Sequence, residues 1–124
     1  MTMPPVIAVV DDDAAIRAGV SSLLRSAGYA VTLFENAEAL LAALPETVPQ
    51  CVLTDIQMPG LNGLDLQSTL ADRYPLLPVM VMTAFPEPAL RQRALAAGAV
   101  CFLSKPFAAE ELLDCLRRAL REED

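Results

Sequence analysis

Histidine is missing from this chain altogether. Without an imidazole there is no Ser-His-Asp triad, no Cys-His dyad, no histidine-built metal site and no phosphohistidine carrier. Basic charge is scarce as well. Nine Lys and Arg stand against sixteen Asp and Glu, a formal net charge of -7, which argues against capture of nucleic acid by charge attraction. No apolar stretch approaches the ~18 residues of a membrane span, and the opening MTMPP lacks the basic segment and apolar core of a signal peptide. A cytoplasmic location is expected, with proteins or cations as partners and neither nucleic acid nor membrane. The three cysteines, Cys51, Cys101 and Cys115, are odd in number, widely spaced and free of any CxxC, so small buried thiols are expected rather than redox or metal duty.

What is present is the material for a core. At 124 residues, 54% of them hydrophobic and 20% charged, the chain fits one globular domain. PVIAVV (Pro5 to Val10) is a short β-branched run, the pattern of a strand buried on both faces. Behind it Ile16, Val20, Leu23, Leu24 and Ala27 share one helical stripe, with Asp12 or Asp13 as N-cap and Gly28 past the end. The alternation then repeats. Strands are expected at Ala30 to Phe34, Cys51 to Thr54, Val79 to Thr83 and Val100 to Leu103. Helices are expected at about Ala37 to Leu44, Leu64 to Tyr74, Pro88 to Ala97 and Ala109 to Arg121. Five strands alternating with five helices over short connections predict a parallel sheet between two helix layers, a doubly wound (βα)5 three-layer sandwich. In such sheets ligands sit beyond the carboxyl ends of the strands.

The residues at those ends are polar and mostly charged. Asp11, Asp12 and Asp13 follow the first strand, Asp55 the third, Thr83 the fourth and Lys105 the fifth. Two unit charges about 5 Å apart repel by roughly 3 kcal/mol at an effective dielectric of 20, so clustered carboxylates are strained without a cation. Oxygen donors with neither sulfur nor imidazole suit Mg²⁺, with Mn²⁺ as the substitute. Asp55 at such a mouth has the chemistry of a carboxylate nucleophile toward phosphorus. The metal and the Lys105 ammonium would neutralise the charge that builds on the equatorial oxygens, and Thr83 would hydrogen-bond one of them.

VVDDD, LTDIQMPGLNG, VMTA and LSKPF, in that order and spacing, make the whole chain resemble a response-regulator receiver domain. The resemblance implies a flavodoxin-like sheet of order 2-1-3-4-5, with residues 1–124 forming the receiver and no effector domain in this chain. It implies that Asp55 accepts a phosphoryl group from a sensor histidine kinase or a small phosphodonor. Asp12, Asp55 and the backbone carbonyl of Gln57 would then hold Mg²⁺, and Asp11 would act through a metal-bound water. Lys105 would contact the phosphoryl group, Thr83 and Phe102 would form the switch, and the bond before Pro106 would be cis. Such a protein is no enzyme beyond self-directed phosphotransfer and slow autodephosphorylation. Phosphorylation would shift the face made by the fourth helix, fifth strand and fifth helix, controlling a partner or an attached output domain, and a homodimer could form there. IAVVDDD, YAVTLFENAEALL and AGAVCFLSKPF look most like receivers joined to helix-turn-helix transcription factors, which points to transcription regulation.

Taken singly, each residue has a plainer reading. Asp13 reads as a helix cap, Asp11 and Asp12 as a polar turn, Asp55 and Lys105 as loop charges, and Thr83 as a strand end. An aspartyl-phosphate hydrolase of the haloacid-dehalogenase type is the rival reading, but its second Asp, two residues past the nucleophile, is Gln57 here. A flavodoxin-like cofactor module would need a hydroxyl- and glycine-rich loop after the first strand, which is lacking. Two local expectations remain. Ala108 leaves the last helix without a capping side chain, so its first turn should fray. Gln57 and Phe85 stand where relatives tune autodephosphorylation, and a bulky Phe85 should hinder an attacking water.

Overall fold

The computed structural model describes residues 3–120. Five strands, β1 (Val6–Val10), β2 (Ala30–Phe34), β3 (Cys51–Asp55), β4 (Val79–Thr83) and β5 (Cys101–Ser104), alternate with five helices. These are α1 (Ala14–Ser26), α2 (Ala37–Ala43), α3 (Gly63–Arg73), α4 (Pro88–Ala96) and α5 (Ala109–Leu120). All four strand pairings are parallel, and the order is β2-β1-β3-β4-β5. The expected 2-1-3-4-5 order is therefore the order found.

The two-residue period of the strands divides the core. Ala8, Val10, Val52 and Val81 face α2, α3 and α4, where Leu40, Leu66, Leu70 and Ala94 meet them. Ile7, Val9, Leu53, Met80 and Met82 face the other way, onto Val20 and Leu24 of α1 and Leu112 and Leu116 of α5. Every residue of β3 and β4 is buried, which is why these segments carry no alternation of apolar and polar residues. Each fully buried Leu or Met contributes roughly 1.5–3 kcal/mol of transfer free energy.

Local signals set the element ends. Asp13 caps α1, accepting from Ala15 N (2.8 Å) and Ile16 N (3.4 Å). Asn36 and Asn62 do the same for α2 and α3 through Ala39 N (2.7 Å) and Asp65 N (2.9 Å). Gly28 and Gly98 follow α1 and α4 with φ of 97° and 104°, the left-handed region that ends a helix at little cost to glycine. Boundaries differ from the expected ones by about one residue; the largest consequence is that Asp55 closes β3 instead of following it. The final Arg121 expected in α5 lies outside the described residues. Ala108 brings no capping side chain, but Glu111 Oε1 accepts its N–H at 3.0 Å, so the first turn of α5 is tied by the reciprocal half of a capping box.

One expectation fails. Cys101 and Cys115 are not free thiols but a disulfide, with Cα atoms 6.1 Å apart, joining β5 to α5. Counting and spacing along the chain could not show that the fold brings these two together. Cys51 is a buried free thiol, as expected. No helix among the described residues is long and apolar enough to cross a membrane.

Candidate functional site at the carboxyl edge of the sheet

Strand register assembles the site. Val10 pairs with Thr54, so Asp11 emerges beside Asp55. Asp55 pairs with Met82 and Thr83 with Ser104, which sets Thr83 and Lys105 one step further along the same edge. Four residues scattered over the chain thus meet at one rim. Asp11 is fully buried and Asp55 is 5% exposed, whereas Asp12 is exposed. One carboxylate oxygen from each of Asp11, Asp12 and Asp55 lies within 4.8 Å of the others.

Lys105 partly balances the three acids. Lys105 Nζ donates to Asp11 Oδ2 at 2.8 Å and lies 3.4 Å from Asp55 Oδ1. The second contact is close enough for charge attraction but outside hydrogen-bond geometry, and Asp55 Oδ1 is left buried with no hydrogen-bond donor. Burial and the neighbouring Asp11 push the Asp55 carboxyl up to about 6; Lys105 pulls it down and Asp12 adds a smaller upward push. Burial alone would lower the Lys105 ammonium. Its hydrogen bond to Asp11 and the charges of Asp55 and Asp11 together outweigh that and hold it above its ordinary value.

Backbone contacts fix the acids in place. Asp11 Oδ1 accepts from Asp13 N (2.9 Å), Asp11 N donates to Phe34 O (3.1 Å), and Arg17 Nη1 donates to the Asp11 carbonyl (2.7 Å). Behind Asp55 the start of α3 presses so close that a Cβ on Gly63 would lie 2.3 Å from the Asp55 carbonyl oxygen. Only glycine fits there. Glu38 Oε2 ties down the intervening loop by accepting from Leu61 N at 3.1 Å. The Lys105–Pro106 peptide bond is cis, as the resemblance implied.

Thr83 is buried at the rim, and its hydroxyl is doubly engaged. Oγ1 donates to Gln57 Oε1 at 2.5 Å and accepts from Phe85 N at 3.0 Å. Phe102 pairs with Val81 in the sheet and packs half-buried against the α2–α3–α4 side of the core. Phe85 is 67% exposed. Every side chain expected at the site therefore lies on this edge or on the strands behind it. For holding the metal the sequence offers Gln57 only through its backbone carbonyl, and the bond from Thr83 to its side chain is not among the expectations. Neither are Gly63, Arg17 or Glu38: LNG marks a turn, yet nothing in those letters says which atom the glycine avoids. An apolar hollow lined by Val48, Tyr74, Leu76 and Pro78 lies where β3 and β4 begin, away from all these groups.

The three carboxylates and the orphaned oxygen of Asp55 form a donor set suited to a hard divalent cation. The family model of the response regulator receiver domain matches residues 7–117. The transcriptional regulatory protein FixJ of Bradyrhizobium diazoefficiens is 41% identical over 122 residues, covering 98% of this chain and 60% of that protein. The DNA-binding transcriptional regulator NtrC of Salmonella typhimurium is 40% identical over 115 residues, covering 93% of this chain and 24% of that one. The chain thus spans 60% and 24% of the lengths of these two relatives. Among solved structures, FixJ-N superposes with a TM-score of 0.88 at 29% identity, covering 99% of this chain and 98% of that one. Vibrio cholerae chemotaxis protein CheY4, crystallised at low pH, gives 0.87 at 30% identity, with 94% and 99% covered. On a family match over nearly its whole length and a sheet of the same order, this chain belongs to the response-regulator receiver domains.

Proposed function

We propose that the chain is a phosphorylation-operated switch in which Asp55 takes a phosphoryl group from a sensor histidine kinase or a small phosphodonor. Receiver domains are signalling switches phosphorylated by sensor kinases, and they bind Mg²⁺ at an acidic pocket. The observation that carries the proposal for this chain is the Asp55 carboxylate, buried among Asp11, Asp12 and Lys105 with one oxygen free of hydrogen bonds. A carboxylate oxygen of Asp55 attacks phosphorus; a P–O bond forms, the bond to the donor's imidazole nitrogen or, for a small phosphodonor, to its carboxylate oxygen breaks, and the leaving group keeps the electron pair. Asp12, Asp55 and the Gln57 carbonyl would hold Mg²⁺, with Asp11 acting through water, and the ion supplies positive charge beside the phosphoryl oxygens. Lys105 gives those oxygens a second cation, at a cost to its bonds with the acids.

The added charge and acceptor oxygens draw the Thr83 hydroxyl inward, and Phe102 follows, biasing the α4-β5-α5 face between two states. The output we propose is control of a partner or of an attached DNA-binding domain, by analogy with FixJ and NtrC, through a homodimer on that face. Phe85 screens the acyl phosphate from water and lengthens its life; loss of label within seconds would contradict that part.

Incubation with radiolabelled acetyl phosphate and Mg²⁺ is the direct test. Wild type should take up about one phosphoryl group, and Asp55→Asn none. Equal labelling of the two proteins excludes the assignment.

A further inference from the structure

A hydroxyl has a single proton, and that of Thr83 is already spent. It goes to Gln57 Oε1 at 2.5 Å, while the Phe85 N–H at 3.0 Å occupies the acceptor side of the same oxygen. The inward step of Thr83 requires this proton to be offered to a phosphoryl oxygen instead. Two acceptors therefore compete for one donor. Phe85 does not compete for the proton, because its N–H uses a lone pair of the hydroxyl oxygen.

We propose that the Gln57 side chain is a latch for the off state: its amide oxygen holds the Thr83 hydroxyl away from Asp55 until phosphorylation outbids it. The inference rests on the phosphoacceptor reading of Asp55 and adds a positioning residue to it. A phosphoryl oxygen is charged and an amide oxygen is not, and charge-assisted hydrogen bonds are roughly twice as strong, so the phosphoryl group wins. The amide bond lost in the exchange is subtracted from the gain. Gln57 thus sets how much of the population stays off at a given level of phosphorylation, because a ligand shifts an equilibrium only by its differential affinity for the two states. The placement fits the role: Gln57 is two residues past Asp55, on a loop that Gly63 and Glu38 hold in register with the strand end.

The test is a thermodynamic cycle read with beryllofluoride, a phosphoryl mimic, in Mg²⁺. Gln57→Met keeps side-chain bulk and removes the amide acceptor; Gln57→Ala removes both. In the Thr83 background each variant should bind beryllofluoride about 3–10-fold more tightly than wild type, the equivalent of one ordinary hydrogen bond. In the Thr83→Ala background neither should change the affinity. Without any beryllofluoride, the methyl resonance of Thr83 and the ring resonances of Phe102 in Gln57→Met should lie part of the way toward their positions in saturated wild type. Equal tightening with and without Thr83, or none in either, overturns the latch while leaving the phosphoacceptor reading intact. Wild type that binds no beryllofluoride overturns the phosphoacceptor reading, and the latch with it.

Discussion

A carboxylate that is 5% exposed and shares its corner with two others, as Asp55 does, is held at a disadvantage. Its carboxyl is raised from 3.8 to about 6, so between those values the folded protein binds more protons than the unfolded chain. Stability from this group is full below about pH 4 and is lost as pH rises through 6, on the order of 2–3 kcal/mol in the metal-free protein. Asp55→Asn removes the charge and keeps the shape. The variant should therefore melt above metal-free wild type at pH 7, and the gap should close near pH 4. Mg²⁺ should raise the melting temperature of wild type at pH 7 and do little at pH 4.5, where Asp55 is protonated. A gap between variant and wild type that is the same at both pH values would show that Asp55 ionisation is not what costs stability. The same residue shows what a sequence can reveal. Asp11, Asp12, Asp55, Thr83 and Lys105 stood out because each stands at or just past a strand end, a position local patterning exposes. The Gln57 side chain, Gly63 and Arg17 act through contacts with residues that patterning does not bring near them.

The elements themselves were legible for a similar reason. Runs such as VIAVV and VMVMT are too short and too β-branched for helices, and Asn36, Pro88 and Gly98 mark helix ends. What stayed hidden was contact between elements, and the disulfide between β5 and α5 is the clearest instance. Cys101 and Cys115 are 14 residues apart, and closing a loop of that length restricts the unfolded chain by about 3 kcal/mol in the entropic account. Reduction, or Cys115→Ser, should then lower the melting temperature by roughly 10 °C. Arg118 Nη2, at 3.3 Å and 3.2 Å from the two sulfurs, covers the bridge. Cys51 should behave differently: burial pushes its thiol up to about 12, against a smaller pull from its backbone bond to Val52, so it stays unalkylated in the native protein even after reduction. Mass spectrometry after alkylation reads both. Two modified cysteines in unreduced native protein would refute the bridge.

At the scale of the molecule, the parallel sheet sends every strand's carboxyl end to one rim, so the acids, Thr83 and Lys105 gather without any one segment containing them. The strand order followed from the resemblance and not from periodicity, because short β-branched runs carry no record of their neighbours. The same architecture leaves α4 lightly anchored: Ala94 is its one buried residue, while Arg91, Arg93 and Leu95 are exposed. With Phe102, Glu111, Asp114 and Arg118, Arg91 and Leu95 line a shallow hollow across α4, β5 and α5. Charges of both signs on one patch suit a two-fold interface, where Arg91 of each copy can meet an acid of the other. Sedimentation in Mg²⁺ and beryllofluoride should show a concentration-dependent dimer that weakens as salt rises, and a monomer when beryllofluoride is left out. Arg91→Glu should abolish the dimer and leave beryllofluoride binding at Asp55 within about twofold of wild type, since the residue lies away from the acids. A wild-type monomer at every concentration under those conditions would move the output of the switch to a different surface.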